Sequence, residues 1–370
     1  MTTRTGKQPT ARRIAALRAV CRDEKADAVL LTDPSNVRYY SGFTGEDSYL
    51  LVGPRWARLL TDSRFAVQAK IDCPHIGAVI RTGRMTEAIR EALAGRGVRV
   101  LGIEGAAMTV AGRDALAKAL KKVRLKALGP AVSDARQCKD KAELAAIRRA
   151  VRAAERGMKD LLAGGRKKFI GRSEREVAAE LEYRMRLHGA QKASFETIVA
   201  AGSHAALPHY RPGGTRIRAE EAVLIDWGAV VDGYCSDLTR VVFTGKIRDP
   251  IAGVYEIVLC AQAAGIAAVA PEATCASADA AARAVIEAAG YGKAFGHGLG
   301  HGLGLQVHEP PHLARGMDRK LRAGMVVTVE PGIYLPGVGG VRIEDDVLVV
   351  PGGRRRLSSL PRDLRAMVLA

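Results

Sequence analysis

Residues 222–240, AVLIDWGAVVDGYCSDLTR, constrain this chain more than any other stretch. Two apolar, β-branched runs flank Asp232-Gly233, a strong signal for a two-residue hairpin loop. With that loop, Val231 faces Tyr234, Gly228 faces Asp237 and Asp226 faces Thr239. Side chains alternate between strand faces, so Asp226 and Asp237 share a face as diagonal neighbours unless a bulge intervenes. Two carboxylates among apolar strands are costly unless protonated, paired or bound to a cation. A surface turn explains Asp232, but an Asp inside VLIDWG needs another reason.

The length, 370 residues, allows two or three domains with sizeable cores. Aromatic residues are only 5%, which argues against stacking platforms for single-stranded nucleic acid. The net charge of +18 divides into +11 over residues 1–138 and +7 over the remainder. So diffuse an excess is not the clustered footprint of a nucleic-acid binder. The six cysteines, at 21, 73, 138, 235, 260 and 275, form no C-x-x-C pair and read as free thiols in a reducing compartment, the cytoplasm. No apolar run approaches the roughly 20 residues that span a bilayer, so no membrane partner is expected. The first 22 residues lack acids and faintly resemble a transit peptide; the simpler reading is a tail and then a helix from about Thr10.

Residues 10–134 alternate helix and strand. Strands are expected at 27–32, 48–53, 57–62, 75–81 and 98–104, with helices at 85–95 and 109–122 and a further one in AVQAKI. This pattern predicts an α/β layer around a mostly buried sheet. Asp140 with Glu143, and Ser173 with Glu176, are capping-box signatures that open two helices, ended by Gly164-Gly165 and Gly189. The boundary between an N-terminal domain, 1–138, and a second domain, 139–370, falls here. Then come a strand at 195–200, the hairpin, helices at about 250–269 and 276–289, and strand-like stretches at 294–308, 325–334 and 340–350. Helices, strands, helices, strands suggests an internally repeated α+β domain.

The second domain carries Asp226, Asp237, His301, Glu330 and Glu344 in apolar strand contexts. Four carboxylates and an imidazole suit a pair of hard to borderline divalent ions such as Mn²⁺, Co²⁺ or Zn²⁺. Four negative charges balance two such ions, which lets the carboxylates sit close together. Taken singly, each residue could have a blander role: a turn, a satisfied core histidine, or an Arg342–Glu344 pair on one strand face. The ordered combination is what is specific. HEPPH at 308–312 matches the text of a zinc-peptidase helix, but Pro310-Pro311 would break that helix. The glycines at 296–304 fit no phosphate loop, and no Ser or Cys stands in a nucleophile-elbow context. Cys235 reads as a small buried residue.

In this order, the motifs closely resemble the proline-specific branch of the pita-bread metallopeptidases, Xaa-Pro aminopeptidase and Xaa-Pro dipeptidase (prolidase), and the overall layout is similar to creatinase. DAVLLTDPSNVRYYSGFTG and LLTDSRF look like the creatinase-type N-terminal domain. SFETIVAAG, PHY, LIDWGA, GYCSDLTR, GHGLGHGLGLQVHE, VEPGIY and VRIEDDVLV look like the catalytic motifs. The resemblance implies an α/β creatinase-like domain followed by an α+β pita-bread catalytic domain. It implies that Asp226 chelates one ion, Asp237 and Glu344 bridge two, and His301 and Glu330 hold the other. It assigns His209 and His308 to substrate binding and proton handling, His297 to the pocket lining and Arg342 to the support of Glu344.

The implied chemistry is hydrolysis of the Xaa-Pro bond at a peptide N-terminus by a hydroxide shared between two ions, Mn²⁺ first among the candidates, with Glu330 as general acid–base. The substrates are short peptides with proline second, and a homodimer is expected. Xaa-Pro dipeptidase is the alternative within the class. An inactive binding module of the same fold is the alternative outside it, although all five ligands are present. Creatinase lacks this ligand set, and methionine aminopeptidases usually lack the N-terminal domain. His204 stands where the family commonly has Asn, and Phe65 where Tyr is common.

Overall fold

In the computed structural model, which describes residues 7–247 and 249–370, the Asp-Gly loop closes the hairpin as its sequence requires. Asp232 and Gly233 both have positive φ, 50° and 78°, as in a type I′ turn. Residues 1–6, read from sequence as a tail, lie outside the described residues. The chain divides into two compact units between Arg136 and Gln137.

The first unit comprises α1 (Lys7–Asp23), β1 (Ala28–Leu31), α2 (Pro34–Ser41), β2 (Tyr49–Val52), β3 (Ala57–Asp62), α3 (Ala66–Asp72), β4 (Gly77–Arg81), α4 (Met85–Leu93), β5 (Val100–Glu104), α5 (Val110–Ala119), β6 (Arg124–Leu128) and α6 (Ala131–Asp134). One sheet runs in the order β4-β3-β2-β1-β5-β6. β2 is antiparallel to both neighbours, and the other pairs are parallel. β1 is buried along its whole length, as its continuous AVLL run requires. Three elements, α2, β6 and the single-turn α6, are absent from the sequence reading. Asp33-Pro34 ends β1 but also opens α2, with Asp33 capping the Asn36 N–H at 2.9 Å and Pro34 in the first turn. At the sheet edge, β6 reads RLKAL, too charged to show as an apolar run.

The second unit comprises α7 (Lys141–Leu162), α8 (Glu174–Leu187), β7 (Lys192–Ala193), β8 (Ile198–Ala201), β9 (Ala222–Trp227), β10 (Ala229–Val231), β11 (Tyr234–Cys235), β12 (Leu238–Phe243), α9 (Ile251–Ala268), α10 (Cys275–Ala288), β13 (Gly300–Gly302), β14 (Glu309–Leu313), β15 (Val326–Val329), β16 (Gly332–Leu335), β17 (Gly339–Arg342), β18 (Asp345–Val350) and β19 (Gly353–Arg356). Both capping boxes form, at Asp140/Glu143 and Ser173/Glu176. The sheets are β12-β9-β8, β11-β10-β7, β14-β13-β15-β18-β19 and the ribbon β16-β17. Trp227 is fully buried in the same core as Phe243 and Tyr255, and its indole N–H donates to Ala154 O at 3.0 Å. By length and composition alone α9 could cross a membrane, with 18 residues of mean hydropathy 1.7. Its Val254, Tyr255, Val258 and Ala261 are instead buried in this core.

Several expected strands are broken. The 222–240 hairpin keeps its register throughout, with Val231 opposite Tyr234 and Asp226 opposite Thr239. It nevertheless changes sheet at Gly228, where a Cβ would lie 2.0 Å from Ser236 O. The run 325–334 splits at Glu330-Pro331 into β15 and β16, and 340–350 splits at Ile343-Glu344 into β17 and β18. Most of 294–308 is loop, with only Gly300–Gly302 as strand, while HEPPHL supplies edge strand β14.

Candidate metal centre

The strand breaks aim side chains at one place. Asp237 lies between β11 and β12, Glu330 between β15 and β16, and Glu344 between β17 and β18. Thr239 pairs with Asp226 on β9 and also bridges to Glu344, so β12 joins two of these segments. One ligand atom each from Asp237, His301 and Glu344 lies within 4.8 Å of the other two. His301 Nε2 is 3.3 Å from Glu330 Oε1 and 3.7 Å from Asp237 Oδ2. Asp226 is held at the same place by Arg342, whose Nη2 donates to Oδ2 at 2.6 Å.

The hydrogen bonds around these groups select which atoms face the centre. His301 Nδ1 lies 3.1 Å from Gly302 O, which can only accept, so Nδ1 carries a proton and Nε2 is the ring atom beside the carboxylates. Thr328 receives the His301 N–H and donates to Glu330 Oε1, each at 3.0 Å. Thr239 donates to Glu344 Oε2 at 2.6 Å and accepts from Arg342 Nε at 3.1 Å. Arg342 therefore pairs with Asp226, not with Glu344 as same-face spacing on the strand suggested. Asp346 accepts the Asp237 N–H at 3.1 Å. Asp345 is fully buried and accepts from Arg240 at 2.8 Å and Gln262 at 2.9 Å, fixing the strand beside Glu344.

The electrostatics are those of anions crowded without enough counter-charge. Burial, and then the neighbouring carboxylates, hold Asp237 and Glu344 well above the usual carboxylate range. Burial also raises Asp226, against the pull of Arg342. Glu330 is the exception: burial raises it, but His301, His297 and Arg342 outweigh burial and hold it at about 2. Asp226 Oδ1 is buried with no hydrogen-bond partner. An orphaned carboxylate oxygen, three carboxyls strained toward protonation and an imidazole nitrogen beside two carboxylates are a donor set that divalent cations satisfy.

The centre opens into a cavity of about 500 Å³ lined also by His209, His297, His308 and Arg342. His297 Nε2 is 2.9 Å from the Tyr334 hydroxyl, which accepts from Arg342 Nη1 at 2.9 Å. Its Nδ1 donates to Gly298 O at 2.8 Å. Burial lowers His297, and burial with His301 nearby lowers His308, whose ring lies 4.4 Å from that of His301. Thr239, Thr328, Tyr334 and the pocket-lining His312 went unread from the sequence. The register did point to Thr239, directly opposite Asp226. Cys235 is buried and its thiol is pushed up to about 12, as befits an inert core residue.

Residues 145–351 match metallopeptidase family M24, and residues 13–138 match the Creatinase/Prolidase N-terminal domain. The chain belongs to metallopeptidase family M24. Its fold is a creatinase-type α/β domain followed by the α+β pita-bread catalytic domain. It is 36% identical to a Xaa-Pro dipeptidase of Pyrococcus furiosus, over 92% of this chain and 96% of that one. Among solved structures it resembles a Xaa-Pro dipeptidase from Bacillus anthracis, with TM-score 0.93 and 35% identity over 97% of this chain and 100% of the other. It also resembles an X-Pro aminopeptidase from Thermotoga maritima, with TM-score 0.89 and 33% identity over 96% and 99% of the two chains.

Proposed function

We propose that this metallopeptidase cleaves the Xaa-Pro bond at the N-terminus of short peptides, as an Xaa-Pro aminopeptidase. The observation that carries the reading is the convergence of Asp226, Asp237, His301, Glu330 and Glu344 on one buried centre at the floor of a peptide-sized cavity. We assign Asp226 to one divalent ion, Asp237 and Glu344 to a bridge between two, and His301 with Glu330 to the second, with Mn²⁺ preferred over Co²⁺ or Zn²⁺. Such ions, when bound, supply an activated water and polarise the scissile carbonyl.

The chain's own groups do the rest. Glu330 Oε1 accepts from Thr328, and the Glu330 carboxylate would take a proton and return it to the departing proline nitrogen. His308, kept neutral at pH 7 by its lowered pKa, donates a ring N–H to the oxygen that gains charge, and His209 lines the same cavity. Arg342 and Tyr334 hold Asp226 and His297 in place. Proline lacks an amide N–H and restricts the residue before it, so a site that grips the carbonyl and terminus suits this bond.

The named relatives include Xaa-Pro dipeptidases, which favours that activity as the second reading. Relative rates on Xaa-Pro and Xaa-Pro-Yaa decide between them. Glu330→Ala and Asp237→Ala should each abolish hydrolysis and leave the fold intact; full activity in either variant removes the assigned roles. The family resemblance further supports a cytoplasmic homodimer. It also supports a division of labour in which residues 139–370 carry the chemistry and 1–138 form the N-terminal domain.

A further inference from the structure

Glu174, the first residue of α8, is fully buried yet contributes nothing to the metal centre. Its carboxylate accepts four hydrogen bonds, all from residues 201–213. Oε1 takes the Ala201 N–H at 2.9 Å and His204 Nδ1 at 2.8 Å. Oε2 takes the Tyr210 hydroxyl at 2.8 Å and the Gly213 N–H at 3.1 Å. The His204 ring stacks on Tyr210, with centroids 4.5 Å apart. Burial, and then Glu174 itself, push the Tyr210 phenol up to about 12, so its O–H remains a donor at neutral pH.

The segment held in this way carries Pro208 and His209. Pro208 O accepts from Arg342 Nη1 at 3.3 Å, and His209 and Tyr210 line the cavity. At the start of the segment, Ala205 O crosses β17 so closely that a Cβ on Gly340 would sit 2.1 Å from it. Residues 201–213 are therefore gripped by two sets of partners. Arg342 and β17 hold them at Pro208 and Ala205, and Glu174 holds them at Ala201, His204, Tyr210 and Gly213.

We propose that Glu174 is a positioning residue for His209: its buried carboxylate, through Ala201, His204, Tyr210 and Gly213, sets where the His209 imidazole stands in the cavity. Two of the four donors come from backbone, so the carboxylate fixes the path of the main chain as well as two side chains. His204, which stands where the family commonly has Asn, becomes half of a clamp with Tyr210. The kinetic consequence rests on the peptidase reading above; the structural consequence does not.

Glu174→Gln preserves volume but replaces one acceptor oxygen with an NH2 donor, leaving two of the four donors unmatched. We expect this variant to fold, to bind Mn²⁺ as the parent does, and to exchange the amides of 201–213 at least about tenfold faster by hydrogen–deuterium exchange. Its kcat/KM on an Xaa-Pro peptide should fall about 10- to 100-fold, the scale of a small misplacement of a reacting group. Combined with His209→Ala, it should cost nothing beyond His209→Ala alone, because both changes remove one interaction. His204→Phe, which keeps the ring on Tyr210 but loses the donor, should give a smaller loss with the same lack of additivity, and it carries the test if Glu174→Gln does not fold.

Unchanged amide exchange overturns the proposal. So do losses that multiply in the double variant, or lowered thermal stability with unchanged kcat/KM at 25 °C. A parent enzyme that cleaves no Xaa-Pro peptide removes the peptidase reading instead. The exchange measurement and the NMR shift of the His209 ring, both read in metal-free protein, then still decide whether Glu174 positions it.

Discussion

One guanidinium decides which oxygen of Asp226 is left without a hydrogen-bond partner. Arg342 takes Oδ2, and its other nitrogens reach Thr239 and Tyr334, so Oδ1 stays buried and unpaired. Arg342→Ala should therefore weaken Mn²⁺ binding about 10- to 100-fold, as loss of such a supporting partner generally does. Calorimetric titration checks this, and unchanged affinity contradicts the assigned role. At this scale the five candidate ligands were legible because a carboxylate inside an apolar strand is too costly to keep without a partner or a cation. Their supports were not. Thr239 and Thr328 stand where β-branched residues are common anyway, and nothing in a strand pattern tells a packing threonine from one that orients a carboxylate. Arg342 was visible, but its partner depended on which strands met.

The strand breaks set what could be read at the level of elements. The hairpin register follows from the Asp-Gly loop and holds across the sheet change. The breaks themselves were hidden, since VVTVEPGIY and GGVRIEDDVLVV keep a strand-like composition through Glu330 and Glu344. Only Pro331, which cannot donate to a ladder, marked one of them. Helix boundaries were more legible because capping boxes are local. On α8, Glu180 tests how much an ionic cluster adds to such a helix. Burial raises its carboxyl, but Arg184, Lys168 and Arg172 prevail and hold it at about 2, below its ordinary 4.5. Its side chain is 17% exposed. A depressed pKa contributes stability that is complete above the unfolded value and lost as pH falls through the folded one. Glu180→Gln should thus destabilise the protein by about 1–3 kcal/mol at pH 7. In urea melts that gap should close between about pH 4.5 and about pH 2; a gap independent of pH contradicts the ionic account.

Across the whole molecule, the division into an α/β unit and a helix-and-sheet unit was readable from the alternation of elements, and the family matches follow the same division. Placing the five candidate ligands together required tertiary contacts between segments more than 100 residues apart, such as Asp226 with Arg342 and Thr239 with Glu344. Cations that bind only the folded centre must stabilise it by mass action, by about 2.7 kcal/mol at a hundredfold excess over Kd. Chelation should accordingly lower the Tm, and added Mn²⁺ should restore it; a Tm indifferent to both contradicts a folded-state metal centre. The most direct test is anomalous scattering from crystals grown with Mn²⁺. The account predicts two peaks inside the ring formed by Asp226, Asp237, His301, Glu330 and Glu344, each about 2.0–2.2 Å from its ligand atoms. No peak within that ring, or a metal held by other residues, contradicts it.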